Sequence, residues 1–518
     1  MQAKPEMSVL EWLKEHLRPQ RTAQTSQPKT QTVSGWRFAL GLLLALCGQY
    51  LLLFPARNFP DYALADWLEI SLRLSMPDLK AQLVGAGLLL SGALLILSFA
   101  RERAPLAAEN NPGGKLSLPL GLKIFSSWQF ITSVALNIFL LVQLLRQDAG
   151  NYLALAWLAS LLPVAGLAWR LDRQAGVPLS PNLGRRDLAA MLLVGLAGLM
   201  VGAYRLTGVP NFLMGDEGSF WTTARDIVTG IYRPSIFDFG VYTYPILSSY
   251  FQAWVISWGG LSLWGWRLSS LVAGLLSVPA LYLLARELFN PKIALLSIVA
   301  LVFSPYFLAF SRFGYNNSQT LLPVTLTLAL GYLGLKRSSL FYLLLAGYAA
   351  GLGFYTYTAA QSGLLILGLF IFILLLQKRG QRRQVLLAGL TVLFGWYLMV
   401  SPHRVYGMVK NHESFQVKLG ESIFFNANYA VSFARPGPDG ELPGTFFGPD
   451  ESFYFDGPTW LMMSVRGAIR SLMVFQTPTL VGEHMIAAPL AGSAGSLFFL
   501  VGMVSSLLAW RERRNKLL

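Results

Sequence analysis

An all-α fold, threaded repeatedly through a membrane, follows from three observations. The 518-residue chain is 54% hydrophobic and 13% charged, with a mean hydropathy of +0.49. A soluble domain carries about 25% charged residues. Long apolar runs recur along most of the chain, near the ~20 residues that a helix needs to cross a ~30 Å hydrocarbon core. The Lys and Arg residues between these runs gather in alternate connections, as cytoplasmic loops do. The formal net charge of +15 is therefore explained by membrane orientation, and nucleic acid is not expected as a partner. Cys47 lies inside an apolar run, which excludes a disulfide framework or a cysteine metal site. His16, His403, His412 and His484 have no ligand spacing.

Taken in order, residues 1–35 read as a polar cytoplasmic tail, with a short surface helix at Glu11–Leu17 and a Gln-, Thr- and Ser-rich stretch at Arg18–Ser34. No cleavable signal peptide is visible, because the first apolar run starts too late. Twelve spans are predicted: 36–54, 82–99, 124–145, 152–169, 187–204, 262–284, 292–311, 320–336, 340–357, 362–377, 384–401 and 487–509. With the N-terminus cytoplasmic, well over half of the 41 Lys and Arg residues fall in inner segments. Two outer segments are long, 205–261 and 402–486. The apolar stretch Tyr244–Gly260 is read as an interfacial or re-entrant helix, because a thirteenth span would put Lys378, Arg379, Arg382 and Arg383 outside. The chain thus divides into the tail, a four-helix extension at 36–186, a membrane core at 187–401 with its acidic loop 205–261, an outer loop at 402–486, and a last span with a basic cytoplasmic tail at 487–518.

The loop after the fifth span carries two adjacent acids, Asp216 and Glu217. Phe220, Trp221, Ala224, Ile227, Val228 and Ile231 follow at helical spacing, which predicts a short amphipathic helix on the membrane surface. After this come YPIL at 244–247, WRLSS at 266–270, ARELF at 285–289, FSRFGYNN at 310–317, GLGFYTYTAAQSG at 351–363 and the Pro402-led loop start. This ordered set, over roughly 187–425, resembles the GT-C superfamily of membrane glycosyltransferases. The protein mannosyltransferase and aminoarabinose transferase group is the branch it looks like. The resemblance implies a polyprenyl-phosphate sugar as donor, a protein, lipid or glycan as acceptor, and a site on the outer face of a bacterial plasma membrane. It departs from the pattern at Asn316 and Asn317, where relatives often carry an acid, and at Gln361, where they often carry Arg.

Glycosyl transfer from a lipid phosphate needs a base for the acceptor, cations for the departing phosphate, and exclusion of water. Asp216 is the expected base of a single inverting displacement, and capping of the following helix is the competing role. Glu217 is expected to orient the acceptor or, with Asp216, to hold a divalent cation such as Mg²⁺ or Mn²⁺; a solvated loop acid is the alternative. Arg267 and Arg312, at outer ends of spans, suit the donor phosphate, as do His403 and Arg404. Snorkelling to head groups, or an ion pair with the acidic residues, fits the two span arginines too. Lys410, His412 and Lys418 extend this basic group, which equally suits anionic membrane lipids. Asn316, Asn317, Gln319, Tyr244, Tyr357 and Gln361 are expected to bind substrate hydroxyls. Helix capping and an aromatic interface belt compete for the asparagines and tyrosines. The Gly-, Pro- and Asp-rich segment 434–457 is expected to be an irregular lid, with Asp439, Glu441, Asp450, Glu451 and Asp456 in it, and Trp460–Val474 a further surface helix. A lipid-sugar flippase or a non-catalytic binder is the rival reading. No internal repeat supports a transporter, and the polar residues cluster at span ends and not at mid-membrane.

Overall fold

Every apolar run in the middle of the chain is helical in the computed structural model. It describes residues 126–410 except 182, 210–212, 214–215 and 378. It also describes Leu118, helical fragments within 36–48, 84–95 and 495–503, and two short strands. In chain order the first helices are α1 (Trp128–Leu145), α2 (Leu153–Gln174), α3 (Arg185–Ala203), α4 (Glu217–Thr229), α5 (Leu247–Gly259) and α6 (Leu263–Leu288). Then come α7 (Pro291–Val302), α8 (Pro305–Phe310), α9 (Leu321–Arg337), α10 (Leu340–Phe354), α11 (Ser362–Gln377) and α12 (Arg382–Val409). Seven described helices are long and apolar enough to cross a membrane: α1, α2, α3, α6, α9 and α11, the last two each extended by a preceding 3₁₀ turn, and α12. Apart from the two short strands, the elements of the described residues are helical, and the protein is an integral membrane protein. Shorter apolar helices at Ala39–Gly48, α7 and α10 fall within three more of the predicted spans.

The expected span 292–311 is not continuous. Pro305 has no N–H to extend α7, and Ser304 instead accepts the Phe307 N–H at 3.0 Å and starts α8. At 13 residues, α5 is about 20 Å long, too short to cross a ~30 Å core. It is also inverted relative to a soluble amphipathic helix. Ser248, Ser249 and Gln252 are buried, whereas Trp254 and Trp258 are exposed. That polarity suits a helix with its back in lipid and its polar face on a protein interior. In the 434–457 segment, expected to be irregular, Thr445–Phe447 (β1) pairs antiparallel with Phe453–Phe455 (β2). The remainder of that segment, the tail 1–35, His412, Lys418 and Trp460–Val474 lie outside the described residues.

α6 is the central helix: 61% of its most apolar window is buried, against 22% for the lipid-facing α3. α10 and α12 approach closely because Gly347 and Gly395 face each other's backbones. A Cβ on Gly347 would lie 2.2 Å from the Val392 carbonyl oxygen. Small residues at helix crossings are the usual means of packing where lipid gives no hydrophobic drive. Inside α2, Pro163 interrupts the backbone ladder, and the Val164 N–H turns to Ser133 Oγ on α1 at 3.1 Å.

Two polar belts mark the ends of the bundle. At one, Asp172 accepts the Leu340 and Phe341 N–H groups at 3.0 and 2.9 Å and so caps α10 from a neighbouring helix. Glu287 pairs with Lys336 and Arg337 at 3.0 and 3.2 Å, and Asp187 with Arg286 at 3.1 Å. At the other lie Glu217, Arg267 and Gly314. Along α6, Arg267 and Arg286 are separated by about 28 Å at the helical rise, close to the thickness of the hydrocarbon core. The two belts therefore stand about one hydrocarbon thickness apart along α6.

Candidate active site around Asp216

The acidic pair is split by the start of α4. Glu217, the first residue of that helix, points inward and is fully buried, as is Arg267. The Arg267 guanidinium donates from Nε to Glu217 Oε1 at 3.1 Å and from Nη2 to Oε2 at 3.4 Å. The Gly314 N–H donates to the same Oε1 at 2.9 Å, and Arg267 Nη1 donates to the Leu206 carbonyl at 3.1 Å. One carboxylate and one guanidinium thus tie together α4, α6, the segment after α3 and the turn before α9. Gly314 is required there: a Cβ would lie 1.9 Å from Trp266 Nε1, on a ring that is itself fully buried. Gly314→Ala is expected to cost about 3 kcal/mol, at the upper end of overpacking, read as a lower Tm of the detergent-solubilised protein.

Asp216 is exposed. It stands at the N-cap position, yet its side chain makes no capping bond; its backbone carbonyl accepts the Ser219 and Phe220 N–H groups instead. The carboxylate is held by the Tyr242 hydroxyl, which donates to Oδ1 at 2.6 Å. That bond raises the Tyr242 phenol above its ordinary range. α4 lies against the site through buried Phe220 and Ala224, which pack with Tyr244, Ala253, Ile256 and Trp266. Ile231, expected on the apolar face, is 76% exposed, because the helix stops at Thr229 with Gly230 in the left-handed region (φ 74°).

The other expected site residues divide into three groups. Arg312 is committed to backbone: it donates to the carbonyls of Tyr204, Arg205 and Val209 at 2.5, 2.9 and 3.0 Å, closing the C-terminus of α3. His403 is fully buried among Phe239, Phe354 and Tyr355, with ring centroids 4.5, 5.6 and 5.5 Å away. Arg404, next to it, is half-buried and lays its guanidinium over the Phe354 ring at 5.3 Å. That is a cation–π contact.

The second group forms the floor. Asn316 is buried and donates to the Thr356 carbonyl at 2.9 Å; Gln319 donates to the Ser248 carbonyl at 3.2 Å. Gln252, which sequence reading overlooked, donates to the Gly314 carbonyl at 3.3 Å. The third group is aromatic. Tyr244 stacks on Tyr357 at 5.6 Å, and burial pushes its phenol well above the ordinary range. Asn317 and Gln361 are half-buried beside these groups in sequence. Beside the floor is a cavity of about 370 Å³. Phe251, Trp254, Leu276, Leu322 and Leu352 make it apolar, and Ser248, Gln319 and Thr356 give it a polar margin shared with the floor.

These elements lie in a stretch with recognisable relatives. Residues 243–406 match the family of dolichyl-phosphate-mannose-protein mannosyltransferases, a GT-C type family. The matched core is mannosyltransferase-like. It covers just under a third of the chain and includes Tyr244, Arg267, Arg312, Asn316, Tyr357, Gln361, His403 and Arg404; Asp216 and Glu217 precede it. No curated protein and no solved structure matches the chain.

A cation held jointly by Asp216 and Glu217 does not fit this arrangement. Both Glu217 oxygens are taken by Arg267, and one by Gly314 as well. Among the described residues, no group of three or more His, Cys, Asp or Glu side chains forms elsewhere.

Proposed function

We propose that this protein transfers a sugar from a polyprenyl-phosphate donor to an acceptor at the extracytoplasmic membrane face, by a single inverting displacement with Asp216 as base. The observation that carries the reading is the division of the acidic pair. Glu217 is buried and neutralised, whereas Asp216 is exposed and oriented by one phenol, at the start of a helix packed onto the family-matched core. A carboxylate so placed is within reach of an acceptor in a way that its neighbour is not.

In the proposed step the acceptor oxygen attacks the anomeric carbon and loses its proton to the Asp216 carboxylate. The bond from that carbon to the phosphate oxygen breaks, and its electron pair leaves with the polyprenyl phosphate. Arg404 is the assigned counter-charge for the departing phosphate, since it is half-buried next to the Phe354 ring and Arg267 is already paired with Glu217. Glu217, Arg267 and Arg312 act as struts. Tyr244, Tyr357, Asn317 and Gln361 are assigned to the sugar and acceptor hydroxyls, with Asn316 holding the floor beneath them. The apolar cavity beside the floor suits the first isoprene units of the donor, and its size falls in the ~300–1,000 Å³ range of ligand pockets.

The test is transfer from a panel of radiolabelled polyprenyl-phosphate monosaccharides by the purified protein, with membrane extract as acceptor source. Label should pass from one donor to a product of opposite anomeric configuration. Retained configuration would overturn the single displacement. Failure to consume any donor, with the fold intact, would overturn the reading altogether.

A further inference from the structure

The loop between α4 and α5 contains a hairpin whose backbone conformation the mechanism above leaves unexplained. The Ile246 N–H donates to the Asp238 carbonyl at 2.9 Å, the Gly240 N–H to the Tyr244 carbonyl at 2.7 Å, and Phe239 bridges to Pro245. Its tip is Val241-Tyr242-Thr243-Tyr244, closed by the Tyr244 N–H on the Val241 carbonyl at 3.1 Å. Both central residues have positive φ, 52° at Tyr242 and 60° at Thr243. That is the geometry of a type I′ turn, which strongly prefers Asn-Gly. A tyrosine and a β-branched threonine are poor residues for it, Thr most of all. Thr243 gains little locally in return: its hydroxyl is buried and has no hydrogen-bond partner among the described residues.

Strain of this kind persists only where surrounding structure overrides it, and here both ends of the hairpin are fixed. At the base, the Tyr406 hydroxyl donates to Asp238 Oδ1 at 3.2 Å, and the Phe239 ring packs on His403 at 4.5 Å. Gly407 makes room for that ring, since a Cβ there would lie 2.8 Å from Phe239 Cζ. At the tip, the Tyr242 ring stands edge-on to Phe220 at 6.2 Å, and its hydroxyl reaches Asp216 at 2.6 Å. The hairpin therefore connects α12 to the carboxylate at the start of α4.

We infer that Tyr242 is the positioning residue for Asp216, and that this turn, in an unfavourable conformation anchored on α12, exists to hold the Tyr242 phenol against that carboxylate. The inference rests on the reading of Asp216 as base. An ordinary Asn-Gly turn would be easier to form but has no phenol to offer.

The experiment compares Tyr242→Phe, Thr243→Gly and Asp216→Asn with wild type. Turnover and donor KM are measured with the donor found in the panel, and Tm in detergent. Tyr242→Phe keeps the ring against Phe220 and removes the hydroxyl; kcat is expected to fall about 10- to 30-fold with KM within about twofold of wild type. Thr243→Gly relieves the turn and is expected to raise Tm by about 1–3 °C while lowering kcat severalfold, because the phenol is no longer held. A gain in stability joined to a loss of turnover is not what a merely structural turn would give. Wild-type kcat in Tyr242→Phe, with Asp216→Asn inactive, overturns the positioning role and leaves the base assignment standing. Wild-type kcat in Asp216→Asn removes the base assignment and this inference with it. A lower Tm in Thr243→Gly overturns the strained-turn part whether or not any donor is consumed. Absence of transfer from every donor by the wild type overturns the inference together with the reading on which it rests.

Discussion

Asp216→Asn is expected to reduce sugar transfer by about 10²–10⁴-fold while leaving Tm close to wild type. The substitution is nearly isosteric. The residue is exposed, its side chain caps nothing, and its one described polar contact is the Tyr242 hydroxyl, for which an amide oxygen can still serve as acceptor. What the amide lacks is the ability to take the acceptor's proton. The comparison is initial rate and Tm of wild type and variant in one detergent, with the same labelled donor. An active Asp216→Asn would mean that another group accepts the proton. A variant that loses activity only in parallel with Tm would mean that Asp216 supports the fold and not the reaction.

The second large effect concerns its neighbour. Arg267→Met leaves the Glu217 carboxylate fully buried without its guanidinium, with the Gly314 N–H as a remaining donor. Breaking a buried ion pair by removing one partner costs about 3–5 kcal/mol, which here should appear as a large drop in Tm and in folded yield. Glu217→Gln with Arg267→Met removes both charges, and the double variant is expected to recover much of that loss, because no uncompensated charge remains in the interior. Thermal melts of the two single variants and the double variant form the cycle. If Arg267→Met folded as well as wild type and only donor KM rose, Arg267 would be a phosphate ligand and not a strut. The sign of the coupling therefore separates the two roles that sequence reading left open for this arginine.

Much of the architecture was legible without coordinates. Hydrophobic run length and the alternation of basic connections mark the helices from 128 to 409, and the identity of α5 as a non-spanning helix follows from the same charge bookkeeping. These properties are local, or additive along the chain, so they survive in one dimension. The break at Ser304-Pro305 was also written there. A proline following a serine is a start signal, although it stands inside an apolar run long enough to span. The family likeness was readable for a similar reason, since it rests on ordered short strings such as WRLSS and FSRFGYNN.

The division of labour within the acidic pair was not legible. Asp216 and Glu217 are adjacent, and one residue of helical rotation decides which faces the interior. That rotation is set by Phe220 and Ala224 packing on α5 and α6. The partners of Glu217 lie at Arg267 and Gly314, far along the chain, and their meeting depends on α4 and α6 both packing on α5 and on a glycine whose missing side chain makes space for Trp266. His403 and Arg404 show the same point: neighbours in sequence, one is enclosed by aromatic rings and the other rests on one. The type I′ turn at Tyr242-Thr243 could not have been read at all, because its residues argue against it and distant anchors at Tyr406 and Gly407 impose it. Sequence alone marked the apolar helices of the described residues and the family of chemistry that the core resembles, because segment length, charge and short motifs carry that information locally. Only the tertiary structure decided which carboxylate is free and what holds it, because burial and partner choice come from contacts between residues far apart in the chain.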